Sequence, residues 1–301
     1  MGGEWAFGWG PQDDADSIAA IHRALELGLN WIDTAPIYGL GHSEEVVGKA
    51  IAGRRHEVII ATKCGRAWDE QGNPYSRLKG PAIRQEVEAS LRRLQIEVID
   101  LYQIHWPQPD EDIEEAWGVI AEMVRAGKIR YAGVSNFNVA QLQRLQPIHP
   151  VTSLQPPYSM IRREVETELL AYCAANNIGV LAYSPMQAGL LTGRFTADRL
   201  NSMAPGDWRR RNPYFQEPSL SATLKLVEQL RPLAERHGRN VAQLAIAWIL
   251  RRPEMTASIV GARTPGQIEE TAPAGEWVLS DEEITEIEAL LAERERTLTD
   301  N

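Results

Sequence analysis

Cysteine, histidine and long apolar runs are all scarce in this chain. Two cysteines, Cys64 and Cys173, among 301 residues exclude a disulfide framework and a cysteine-built zinc site. Cys173 shares a helical apolar face with Val165, Leu169 and Tyr172 and reads as a buried structural thiol. Cys64 follows a lysine, but a structural role is the preferred reading there too. The six histidines lack the short spacings of a metal site, so no metal is expected. No apolar run approaches the roughly 20 residues that cross a bilayer, and Met1–Gly10 has neither a basic n-region nor an apolar h-region. Positive charge is also short: 31 Lys and Arg against 41 Asp and Glu give a formal charge of −10. Nothing in that balance favours nucleic acid or an acidic membrane. These absences predict a cytoplasmic protein.

What the sequence does contain is an alternation of short β-rich runs with amphipathic stretches, with no low-complexity break along its length. That order predicts parallel strands joined by helices, in a single domain spanning residues 1–301. Strands are expected over 30–35, 58–63, 99–106, 129–136, 153–158, 179–185 and 256–261. A first helix carries Ile18, Ile21, Leu25 and Leu29 on one face and ends near Gly28. Further helices are expected over 43–51, 81–94, 112–126, 139–145, 164–176, 218–237, 241–251, 265–271 and 281–294. The third has Pro81 at its start, with Ile83, Val87, Leu91 and Leu94 in a stripe. The fourth carries Ile113, Trp117, Ile120 and Val124. Repeated βα units of this length fit an α/β (β/α)8 TIM barrel, whose chemistry sits at the C-terminal strand ends. The strand count is one short of eight, because Gly2–Gly10 reads as a loop. The doubly wound alternative calls for G-x-G-x-x-G after a strand; Gly39 and Gly41 lack the third glycine, and a tight βα loop is the better reading.

Three ionisable residues fall at the ends of three successive expected strands: Asp33, Lys63 and His105. Tyr38 lies on the loop after the first. Any one alone would more often be structural, but in a barrel these ends converge. The set fits carbonyl reduction, in which hydride arriving at carbon leaves negative charge on oxygen that must be protonated and stabilised. A free phenol, with a pKa of about 10, donates poorly at neutral pH, and a nearby ammonium lowers that value. Lys63 is expected to do this for Tyr38, Asp33 to hold the lysine charged, and His105 to donate to the same oxygen.

Eight segments carry a resemblance to a known family: Trp31–Tyr38, Ala61–Lys63, Tyr102–Pro107, Lys128–Phe137, Leu154–Pro156, Ala182–Met186, Gly189–Gly193 and Ile259–Pro265. In this order, across nearly the whole chain, they resemble the aldo-keto reductases, most nearly the bacterial ones with a Gly-Ala-Arg segment. The resemblance implies a (β/α)8 barrel lacking its N-terminal hairpin and first strand, and NADPH as cofactor. It also implies the tetrad Asp33, Tyr38, Lys63 and His105, with an aldehyde or ketone as the small-molecule substrate. By the same resemblance Ser135, Asn136 and Gln155 bind the nicotinamide carboxamide, and Tyr183 stacks on the ring. Ser184, Pro185, Met186, Gly189, Leu190, Gly193 and Arg194 line the pyrophosphate.

Gln187–Glu217 is long for a βα connection and is expected to form a lid over the cofactor. Arg263 is the expected partner of the adenosine 2′-phosphate and Glu270 of the adenine. Many members have a lysine and a later arginine where this chain has Gly261 and Gln267, which bears on the strength of NADPH preference. Trp106 and Trp68 are expected substrate walls, with Trp9 a weaker candidate. The chain is expected to begin after the family's first strand, through truncation or a late-assigned start. Two alternatives are a cofactor-sensing subunit, similar to potassium-channel β subunits, and a lyase using Lys63 as a Schiff-base nucleophile.

Overall fold

A computed structural model describes residues 10–299. Of the expected loop Gly2–Gly10 all but Gly10, and with it Trp9 as a substrate wall, lie outside the described residues. Seven strands form one sheet: β1 (Trp31–Asp33), β2 (Ile59–Cys64), β5 (Ile99–Ile104), β6 (Ile129–Ser135), β7 (Ser153–Gln155), β8 (Gly179–Tyr183) and β9 (Met255–Ile259). They follow one another in chain order, and β1 to β8 pair in parallel. Helices connect them, giving the (β/α)8-type architecture with seven strands among the described residues. A separate antiparallel pair, β3 (Arg66–Trp68) and β4 (Pro74–Ser76), rises from the connection after β2.

By internal packing the chain divides into two units, residues 1–156 with 166–181 and 261–269, and residues 157–165 with 182–260 and 270–301. In the first, α2 (His42–Ala50), α3 (Gly80–Leu94) and α4 (Ile113–Arg125) bury apolar stripes. The stripe of α3 is the expected one, Ile83, Val87, Leu91 and Leu94; in α4, Ile113, Trp117 and Ile120 are buried and Val124 half-buried. At about 25 cal/mol per Å² of apolar surface, burying such side chains is what stabilises these elements. Trp117 also donates its indole N–H to the His149 carbonyl at 2.9 Å. In the second unit, α8 (Ser219–Glu235), α9 (Val241–Leu250) and α11 (Asp281–Thr299) pack together, with Trp248 fully buried and the Arg251 guanidinium 3.5 Å over its ring.

Several expected boundaries shift. The helix expected over 164–176 is a 3-10 turn, Glu164–Glu166, followed by α6 (Leu169–Ala175). Val165 is buried in the turn and Leu170 and Cys173 are buried in α6, while Leu169 and Tyr172 are half-exposed. Helix α1 (Asp14–Glu26) buries Ser17, Ala20 and Ile21, whereas Leu29 is exposed beyond its end. The strands expected to reach Trp106 and Tyr158 stop at Ile104 and Gln155. Among the described residues no helix is long and apolar enough to cross a membrane, and no group of three or more metal-binding side chains converges.

Candidate active site

The site grows out of the sheet's register. Lys63 pairs with Gln103, Gln103 with Gly133 and Gly133 with Ser153, so one row crosses four strands with its side chains on one face. Two residues further on, Ser135 pairs with Gln155. Residues one position out of this row face the helices: Thr62 donates to the fully buried Glu44 of α2 at 2.6 Å, and Arg93 of α3 closes that link at 2.7 Å. Gly133 is required where it stands. A Cβ there would lie 2.3 Å from Ser153 Oγ and 3.2 Å from Gln103 Cγ.

Lys63 is fully buried in this row. Its Nζ donates to Asp33 Oδ1 at 2.5 Å and to the Thr34 carbonyl at 2.9 Å, and lies 5.1 Å from the centre of the Tyr38 ring. The second oxygen of Asp33 accepts from Gln155 Nε2 at 2.8 Å and faces Gln103 Nε2 at 3.5 Å. Tyr38 and His105 stand edge to face, ring centres 5.8 Å apart. The structure thus brings together all four expected residues and adds Gln103, the Thr34 carbonyl and Gln155 as their supports. Tyr38 is carried by a tight turn in which Gly39, Leu40 and Gly41 all take left-handed φ. This is the tight βα loop that the Gly39–Gly41 spacing suggested.

Burial pulls the Lys63 ammonium down, but the Asp33 charge and then Tyr38 outweigh it, so lysine remains charged and above its ordinary value. Burial raises the Tyr38 phenol, and Lys63 opposes this without overcoming it. The net direction is the reverse of the expected lowering, because desolvation of a phenolate and the neighbouring Asp33 charge together outweigh what the ammonium returns. The phenol is therefore protonated at neutral pH, as a proton donor has to be. His105 is held well below its ordinary value by burial, then by the Lys63 and Arg66 charges, so the imidazole is neutral. Cys64 and Cys173 are both buried, with burial raising the first thiol well above its ordinary value and the second to about 12. Neither is activated.

Asn136 follows β6 in left-handed conformation (φ 65°). Its Nδ2 donates to the His105 carbonyl and to Ser135 Oγ, both at 3.0 Å, and Ser135 Oγ donates to the Gln155 carbonyl at 2.8 Å. Trp106 is exposed and Trp68, on β3, half-buried. Arg263 is exposed and donates to Gln12 Oε1 at 2.6 Å and to the Pro11 carbonyl, while Gln267 caps its backbone N–H at 2.7 Å. In the second unit, Arg194 pairs with Glu270 at 2.8 Å, and Asn240 donates to the same carboxylate oxygen at 2.8 Å. The Tyr183 carbonyl accepts from the Tyr158 backbone. Ser184–Leu190 is short-turned, with positive φ at Ser184, Gln187, Ala188 and Gly189, and Gly193 takes φ 75°. The expected lid, Gln187–Glu217, holds α7 (Ala197–Ser202) and three 3-10 turns.

A family model described as "Aldo/keto reductase family" matches residues 1–292. The chain belongs to the aldo/keto reductase family. Members of this family are oxidoreductases acting on carbonyl groups, and they use nicotinamide cofactors. The chain is 42% identical to the aldo-keto reductase YhdN of Bacillus subtilis, over 99% of this chain and 90% of that protein. It is 36% identical to the NADH-specific methylglyoxal reductase of Escherichia coli, over 94% and 91%. Among solved structures, the glycerol dehydrogenase AKR11B4 from Gluconobacter oxydans superposes with a TM-score of 0.88, at 39% identity, covering 97% of this chain and 90% of that one. These likenesses extend well beyond the residues around Tyr38.

Proposed function

We propose that this reductase converts an aldehyde or ketone to the alcohol with NADPH, using Tyr38 as the proton donor. The observation that carries the reading is the fully buried Lys63, held between Asp33 at 2.5 Å and the Tyr38 ring. A buried ammonium so placed makes Tyr38 a better acid as charge develops on the carbonyl oxygen, and stabilises the phenolate left behind. His105, neutral and edge-on to Tyr38, supplies a second hydrogen bond to the same oxygen and orients it. Asp33 acts on the lysine, and the amides of Gln155 and Gln103 hold its other oxygen.

The bound nicotinamide supplies the hydride. Its carboxamide needs donors and acceptors at a strand rim, which Ser135, Asn136 and Gln155 offer within one hydrogen-bonded group. Gln155 spends its amide nitrogen on Asp33 and presents its oxygen as the acceptor. On the family's motifs we assign Tyr183 to stack on the ring, Ser184, Pro185, Met186, Gly189, Leu190, Gly193 and Arg194 to the pyrophosphate, and Glu270 to the adenine. Arg263 is the 2′-phosphate cation: its exposed guanidinium donates to neutral oxygens, from which a phosphate dianion draws it away. Gly261 and Gln267 add no charge there. Trp68 and Trp106 are assigned to the substrate wall.

The test is coenzyme oxidation with a panel of aldehydes and ketones, with NADPH and NADH in parallel. Tyr38→Phe is expected to abolish turnover while leaving coenzyme binding intact, because only a transition-state interaction is lost. Unchanged turnover would refute the assignment of Tyr38.

A further inference from the structure

Arg66 opens β3, two residues beyond the end of β2 and three from Lys63. Its position is fixed on both sides. The Gly65 N–H is held by the carboxylate of Glu86 at 2.8 Å, at a left-handed turn (φ 85°) where a Cβ would lie 2.5 Å from Leu78. The His105 N–H donates to the Cys64 carbonyl at 3.0 Å, so the chain leaves β2 directly beside His105. Alternation along β3 then buries Ala67 and puts Arg66 and Trp68 together on the opposite face. Arg66 Nη1 donates to the hydroxyl of its cross-strand neighbour Ser76 at 2.8 Å.

What Arg66 lacks is a carboxylate. Among the described residues none lies within ion-pairing distance of it, although the chain has ten more acids than bases and other partly exposed arginines of the same unit are paired, Arg93 with Glu44 and Arg77 with Glu86. Burial alone shifts its guanidinium, downwards, and its charge is felt at His105. A half-buried guanidinium satisfied only by a neutral hydroxyl retains most of its donors for a ligand.

We propose that Arg66 is a specificity-determining residue that binds the carboxylate or phosphate group of an anionic aldehyde or ketone, with Trp68 flanking the carbon chain. This rests on the reductase reading above. The guanidinium fork matches either oxyanion bidentately. The carbonyl end of such a substrate meets Tyr38 and His105 while its anionic end meets the β3–β4 hairpin.

The test uses the full chain at saturating NADPH with two matched pairs: succinic semialdehyde against butanal, and glyceraldehyde 3-phosphate against glyceraldehyde. In the parent at least one anionic compound is expected to exceed its neutral partner in kcat/KM by at least about tenfold, the lower end for a charge-assisted contact. The pair with the larger ratio identifies carboxylate or phosphate. Arg66→Met should collapse that ratio, mostly through KM, and Arg66→Lys should restore part of it. Ser76→Ala, which keeps the charge but frees it from its anchor, should lower the ratio less. Turnover of the neutral compounds with no anionic preference overturns this inference alone, as does a ratio that survives Arg66→Met. No turnover of any of the four overturns the reductase reading and this inference with it.

Discussion

Removing the Lys63 charge separates what the ion pair does for folding from what it does for chemistry. Two unit charges 2.5 Å apart in an effective dielectric of about 20 attract by about 7 kcal/mol. Desolvation of both ions offsets much of this, yet deleting one partner of a buried pair costs about 3–5 kcal/mol because the other is left uncompensated. In Lys63→Met the Asp33 carboxylate, with its side chain 8% exposed, would keep only the Gln155 and Gln103 amides. The double variant Asp33→Asn/Lys63→Met removes both charges and should be more stable than Lys63→Met by about 2 kcal/mol, within the usual range for coupled neighbours. Lys63 is raised above its ordinary 10.5, so its contribution is complete at pH 7 and is lost only as pH rises through the higher folded value. Urea unfolding at pH 7, analysed by linear extrapolation, measures Asp33→Asn, Lys63→Met and the double variant. Turnover should be lost in both Lys63 variants, since neither has an ammonium beside Tyr38. Equal stability of Lys63→Met and the double variant, or strict additivity of the single changes, would refute the claim that Asp33 and Lys63 are a mutually dependent pair.

The pH profile of carbonyl reduction should be flat from neutrality into the alkaline range and fall only above the ordinary phenol value of 10.0, because burial raises Tyr38. No acid limb is expected near 6.5, because His105 titrates well below it; a break in kcat there would refute the neutral imidazole. The same depressed value predicts that stability declines as pH falls below 6.5, where the unfolded chain takes up a proton that the folded chain refuses. Acid titration of the unfolding midpoint, with His105→Asn as the control, measures that slope. Gly133→Ala should destabilise by about 1–3 kcal/mol through overpacking against Ser153 and Gln103, and should lower turnover by moving Gln103 off Asp33. A thermal melt alongside turnover measures both, and a silent substitution would show that the row has slack.

The seven strands and most helices were legible because each carries a local periodic signal, as in Ile83, Val87, Leu91 and Leu94 of α3. The chemical residues were legible for a different reason: Asp33 and Lys63 lie inside their strands near the C-terminal ends, and His105 one residue past Ile104, so topology alone brings them together. The β3–β4 hairpin was not legible, since two three-residue strands around Asp69–Asn73 are too short to set up an alternation. The overrun at Trp106 and Tyr158 has the opposite cause, a single aromatic of high β propensity lying past the point where the ladder ends. Nor could a sequence pattern show that Gln155 reaches Asp33 across 122 positions, or that Gly133 is small so that Gln103 can approach the same carboxylate.

Those long-range contacts set the charge of the site. Asp33 and Lys63 cancel, and Tyr38 and His105 are both neutral at pH 7. The four residues that act on the carbonyl therefore sum to zero, and the oxygen is stabilised by aimed neutral donors and one internally compensated ammonium rather than by excess positive charge. Such a site polarises a carbonyl without attracting an anion. The −10 charge of the chain repels one. A carboxylate- or phosphate-bearing substrate would have to be held by a separate cation at the rim, and Arg66 is that cation. The contact with Arg66 acts at shorter range than the chain's diffuse repulsion, so added salt should raise KM for the anionic member of each matched pair more than for the neutral one, and in Arg66→Met, where only the repulsion is left to screen, this difference should disappear or reverse; an equal salt response in the parent would mean that the guanidinium never meets the substrate's charge.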